Sequence, residues 1–100
     1  MPTETRVTGP RDAAERLAIL GLSYLARQPE ALGRFLALSG IGPDTLRQSA
    51  TDPAFLTGVL DFLLGEEPIL VAFAADAGIK PASVAHARRV LAHRPEGGET

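Results

Sequence analysis

Glycines and prolines cut this chain into short pieces, and that punctuation limits its fold more than any other feature. Pro29, the run Gly40-Ile41-Gly42-Pro43, Asp52-Pro53, Gly65, Gly78 and Pro81 each end one regular segment or start the next. Proline suits the first turn of a helix, where its missing N–H has no partner to lose. Glycine suits the residue just past a helix end, where the backbone turns left-handed. No segment between these marks alternates polar and apolar residues as a half-buried strand should. The spacing therefore predicts an all-α fold of about six short helices. They start near Arg11 (to Gln28), at Pro29 (to Leu38), at Pro43, at Asp52-Pro53, at Glu67 (to Ala77) and at Pro81 (to His93).

Asp52 reads as an N-cap carboxylate with proline at the next position, the strongest start signal in the chain. Behind it, "AFLTGVLDFLL" is apolar around most of its circumference and is expected at the centre of the fold. Gly40 reads as a left-handed stop and Ile41 as the apolar contact of a Schellman motif. A chain of 100 residues makes one domain. A domain of this size buries roughly 60–65% of its unfolded surface, so its core is small. Only 5% of the residues are aromatic, which leaves Leu, Ala, Val and Ile to build that core. The expected domain covers residues 11–94, between polar tails at 1–10 and 95–100 expected to be disordered.

Cysteine is absent, which excludes disulfides, thiolate catalysis and cysteine-ligated zinc. The first ten residues lack the basic start and apolar run of a signal peptide. "LAILGLSYLA" is about half the length of a membrane crossing. A cytoplasmic protein without membrane contact is the expectation. The formal net charge of −2 runs against a protein that holds nucleic acid by its phosphates. Asp52, Asp61, Glu66, Glu67 and Asp76 lie in a stretch free of Lys and Arg, whereas Lys80, Arg88, Arg89 and Arg94 lie in one free of acids. An electrically polar molecule should result.

Sliding the chain by 38 positions superimposes Leu32, Phe35, Gly40, Ile41, Pro43 and Leu46 on Leu70, Phe73, Gly78, Ile79, Pro81 and Val84. The shared positions supply two apolar knobs, a helix stop, a plug and a helix start. Read as an internal repeat, they give hairpin units at about 29–50 and 67–92, joined by a connector helix and preceded by an extra helix. This arrangement, over about Pro29 to Ala92, resembles the tandem helix-hairpin-helix domains of DNA repair and recombination proteins. Its specific part is Leu38-x-Gly40-Ile41-Gly42-Pro43-x-x-Leu46. The resemblance implies phosphate contacts at both turns, from backbone amides that glycine leaves accessible.

The residues around each turn weigh against that role in different ways. Asp44 stands in the first turn after Gly42-Pro43, where its carboxylate is expected to satisfy the turn's own amides and repel a phosphate. Helix self-capping accounts for Gly40, Pro43 and Asp44 with no ligand. In the second turn Lys80 replaces the second glycine, and no acid lies between Ala77 and Pro95. If either turn meets an anion, Lys80, Ser83 and the amide of Ala82 would contact it, with Arg88 and Arg89 close by. The competing reading is a solvated basic helix.

Nothing assembles a nucleophile, a base and an oxyanion site. His86 and His93 are two helical turns apart, too far for one metal ion, and read as surface residues. Asp61 interrupts an apolar helix. With Gly58 and Gly65 it lines a strip read as an exposed edge or a close helix crossing. The sequence is thus expected to encode no enzyme and to need no cofactor or metal. Its expected role is a helical module that binds a protein partner or forms a homo-oligomer, with weak, sequence-independent nucleic-acid binding as the alternative.

"GRFLALSGIGPDTLR", "DPAFLTGVLDFLL" and "AFAADAGIKPASVAHARR" also resemble a small bacterial family of unknown function, DUF3572. That resemblance spans nearly the whole chain. It implies a single all-helical cytoplasmic domain and supplies no activity.

Overall fold

In a computed structural model, Gly9 to His93 are described, and they form six α-helices. These are α1 (Pro10–Ala26), α2 (Pro29–Ser39), α3 (Leu46–Ser49), α4 (Pro53–Gly65), α5 (Glu67–Ala77) and α6 (Pro81–Ala92), with a 3-10 turn at Pro43–Thr45 before α3. No strand occurs among the described residues. The all-α expectation holds, and the helix ends fall within about two residues of the punctuation marks. The expected tails lie outside the described residues apart from Gly9 and Pro10, which cap and open α1.

Three helices make the centre. α1 packs chiefly on α6 and α4, and α4 packs on α6. Their directions follow from which residues meet. Arg11 and Asp52 border one depression while Gly21 meets Leu63, so α1 and α4 run parallel. Leu91 lies at the Arg11 end and Arg88 reaches Asp61, so α6 runs against both. α4 contributes Phe55, Leu56, Val59, Leu60, Phe62 and Leu63 to the core, and its burial on most sides matches its sequence. Asp52 accepts the Ala54 N–H at 3.0 Å, satisfying one of the unpaired donors of the first turn. Asp52→Ala should cost about 1 kcal/mol, read as a lower urea midpoint at unchanged slope.

Gly40 (φ 74°) and Gly78 (φ 72°) are the two positive-φ residues among those described. Their caps differ. The Schellman motif expected at Gly40-Ile41 is found at Gly78-Ile79, where Ile79 N–H donates to Ala74 O at 2.9 Å and Gly78 N–H to Ala75 O at 3.3 Å. At the first turn only Gly40 N–H reaches back, to Leu36 O at 2.9 Å, while Ile41 N–H donates to Ser39 Oγ at 3.4 Å. The cause is one side chain. Ser39 offers an acceptor two residues before Ile41, and Ala77, its counterpart, does not.

The positions paired by the shift of 38 share apolar roles: Phe35, Phe73 and Val84 are buried, and Leu32, Ile41, Leu46, Leu70 and Ile79 pack against the core. The equivalence stops after the turn. A 3-10 turn and the 4-residue α3 follow Gly40, whereas the 12-residue α6 follows Gly78.

α2 closes one side antiparallel to α4. Phe35 meets Phe55 and Phe62 edge-on, each at 5.5 Å between ring centroids. Gly33 is exposed on the outer side of α2, and a Cβ there would meet nothing within 4 Å. Gly33→Ala should therefore raise stability by about 0.5–1 kcal/mol, visible as a higher melting temperature.

Candidate functional site

The first hairpin turn satisfies part of its own backbone: Gly40, Ile41 and Thr45 N–H donate within it, whereas Gly42 and Asp44 N–H find no acceptor among the described residues. The amides of Gly40 and Ile41 are bonded as described, and Thr45 donates from its N–H (3.1 Å) and its hydroxyl (3.0 Å) to Gly42 O. Asp44 does not cap the turn as expected: among the described residues no amide donates to its carboxylate. Its Oδ1 instead lies 2.9 Å from where a Cβ on Gly42 would stand. The 3-10 turn places Asp44 too early for a helix cap, so its carboxylate folds over the glycine.

The second turn scatters its cations. Lys80 is exposed at the N-cap of α6, and its carbonyl accepts the Ser83 N–H at 2.9 Å. Ser83 turns toward α1, into a shallow depression with Ala13, Leu17 and His86. Arg89 faces outward in another, with His86, Val90, His93 and Pro10. Arg88 faces the opposite way and grips Asp61, with Nε 2.6 Å from Oδ1 and Nη2 3.4 Å from Oδ2. That hydrogen bond, reinforced by the Asp61 charge, holds the guanidinium above its usual range. Arg88 is therefore turned away from Ser83 and Arg89, which line neighbouring depressions that share Pro10 and His86.

Four acids of the acidic stretch are likewise engaged within the chain, and Glu67 is exposed in the first turn of α5. Asp61 pairs with Arg88, Glu66 with Arg34 at 3.0 Å and Asp76 with Arg27 at 3.2 Å, while Asp52 serves as a cap. Arg34 also lies 5.9 Å over the Phe62 ring. The expected separation of charge is thereby much reduced. These pairs join residues up to 49 positions apart, a distance over which sequence patterns carry no signal.

His86 and His93 are exposed, in keeping with their reading as surface residues. Of the two readings of the Gly58-Asp61-Gly65 strip, the exposed edge is correct: a Cβ on Gly58 or Gly65 would meet nothing within 4 Å. The close helix crossing lies instead at Gly21, where a Cβ would stand 2.8 Å from Leu63 Cδ1.

A site the sequence did not reveal lies along that exposed strip. Between α2 and α4 is a cleft of about 310 Å³, bounded by Phe35, Leu38, Ser39, Gly58, Asp61 and Phe62. Phe35 and Phe62, both buried, form its aromatic floor, and Leu38 stands at its rim 77% exposed. Leu38 follows Phe35 by three positions, the spacing of a core residue, so its sequence pattern pointed inward. Ile19, Leu20 and Val71 are the other large apolar side chains exposed among the described residues. A larger depression, about 620 Å³, lies where the starts of α1 and α4 meet the end of α6. Its carboxylate, Asp52, is already engaged as the cap of α4.

Fold and surface together define a small all-α domain with an apolar cleft beside a bidentate ion pair. Among the described residues, no single helix is long and apolar enough to cross a membrane. The chain belongs to the family described as "Protein of unknown function (DUF3572)", whose model matches residues 11–94. No curated protein and no solved structure matches it.

Proposed function

We propose that this chain is a non-enzymatic interaction module of the cytoplasm whose binding face for protein is the α2–α4 cleft. The observation that carries this reading is Leu38, three-quarters exposed at the edge of an aromatic-floored cleft. Single exposed leucines are ordinary on protein surfaces. One that borders an apolar hollow is different, because a partner covering both would remove apolar area worth about 25 cal/mol per Å² from water.

Nucleic-acid binding draws less support. A phosphate track needs cations on one face. Here Arg88 is paired with Asp61 and turned away from Arg89, and the Asp44 carboxylate covers Gly42.

A photo-crosslinking amino acid in place of Leu38 should capture protein in cells, while the same group in place of the exposed Arg16 should not. Equal capture from both positions would count against the cleft. In parallel, a short DNA duplex titrated at two ionic strengths should not bind. Affinity that falls with salt to a power of about 0.9 per phosphate contact would overturn the reading in favour of nucleic acid.

A further inference from the structure

We infer that the occupant of the α2–α4 cleft is a second copy of this chain, with Leu38 of each copy entering the cleft of the other. The inference rests on the cleft being a protein-binding face and narrows it to one partner. A two-fold contact requires a patch complementary to itself. This patch carries both halves of such a fit. Leu38 projects from the rim, and directly beside it lies a hollow floored by Phe35 and Phe62.

Charge points the same way. Asp61 borders the cleft and holds Arg88 beside it, so carboxylate and guanidinium sit together with no net charge. A copy related by a two-fold axis can set Asp61 against Arg88, whereas a strongly acidic or strongly basic partner would always meet one group of its own sign. Gly58 adds depth. A Cβ there would meet nothing within 4 Å, so the glycine leaves open space along the cleft beside Asp61 and Phe62. The hollow it leaves open can receive a leucine.

The contact should be weak. Stable interfaces cover about 800 Å² per partner, more than one projecting side chain and a short cleft supply. Sedimentation equilibrium of the full chain, up to about 500 μM to reach the weak end of the affinity scale, should show a concentration-dependent dimer. Leu38→Asp and Gly58→Leu should each weaken it at least about tenfold. Gly58→Leu adds its side chain in open space and replaces a poor helix former, so unchanged circular dichroism would separate lost binding from lost folding. The chain has no cysteine. Copies carrying Leu38→Cys, mixed with copies carrying Gly58→Cys, should therefore form a mixed disulfide that Leu20→Cys copies do not.

A protein monomeric throughout, or a dimer that neither Leu38→Asp nor Gly58→Leu disturbs, overturns the inference. A monomer that still crosslinks to a different protein from position 38 overturns the second copy alone. A monomer with no capture at position 38 overturns the protein-binding reading as well.

Discussion

Gly21→Val should remove about 3 kcal/mol of stability, within the range for forcing extra carbons into a packed core. A Cβ at Gly21 would stand 2.8 Å from Leu63 Cδ1, 3.6 Å from Val59 Cγ1 and 3.8 Å from Phe73 Cζ. Those three residues are at most 1% exposed, so none can swing into water to make room. Valine then adds two methyl groups beyond the position already in collision. A domain of this size is stable by only about 5–15 kcal/mol, so the loss is large. The melting temperature should fall by about 12–24 °C, at roughly 4–8 °C per kcal/mol. Gly21→Ala should be milder, because alanine's gain of up to about 1 kcal/mol in helix propensity offsets part of the collision. Placed in a Leu63→Ala background, where the colliding methyl is gone, Gly21→Ala should become stabilising. A double-mutant cycle reads that coupling directly. Valine tolerated within about 0.5 kcal/mol, the scatter of ordinary surface changes, would show that α1 and α4 do not approach as described.

Phe35→Ala should cost about 3–5 kcal/mol, the usual penalty for emptying a buried phenylalanine site. The edge-on contacts with Phe55 and Phe62 place it high in that range, since such pairs contribute beyond their area. Its effect should also be local. Phe35 and Ala31 are the buried residues of α2, and with Phe35 gone only Ala31 and the half-buried Leu32 and Leu36 are left to hold that helix. Hydrogen exchange should show α2 losing protection first while α1, α4 and α6 keep theirs. Protection lost evenly along the chain would mean that Phe35 anchors the whole core and not one helix.

The features legible in the sequence were those whose causes are local. Asp52-Pro53, Gly40, Gly78 and Pro81 act within one helical turn, so their neighbours were enough to place helix ends. α4 was legible as the central helix because its own residues are apolar on most sides. Features that depend on distant partners were hidden. Gly21 sits inside a helix where glycine only weakens the structure, and its reason, Leu63, lies on another helix. Arg88 looked like a free cation because Asp61, its partner, comes from α4. Leu38 kept the spacing of a buried residue, and only the geometry of α2 against α4 left it outside. Even the exchange of the Schellman motif between the two turns had a local cause, Ser39 against Ala77, but choosing between hydroxyl and carbonyl acceptors requires the geometry of the turn.

The dominant partner of α1 is α6, the last helix to follow it along the chain. α1 therefore cannot reach its main neighbour until the intervening helices and α6 itself have been made and drawn into a ring, at the entropic cost that closing a long loop carries. Folding should accordingly be all-or-none and slower than in bundles whose neighbouring helices zip together in order. No fragment lacking either end helix retains that closure.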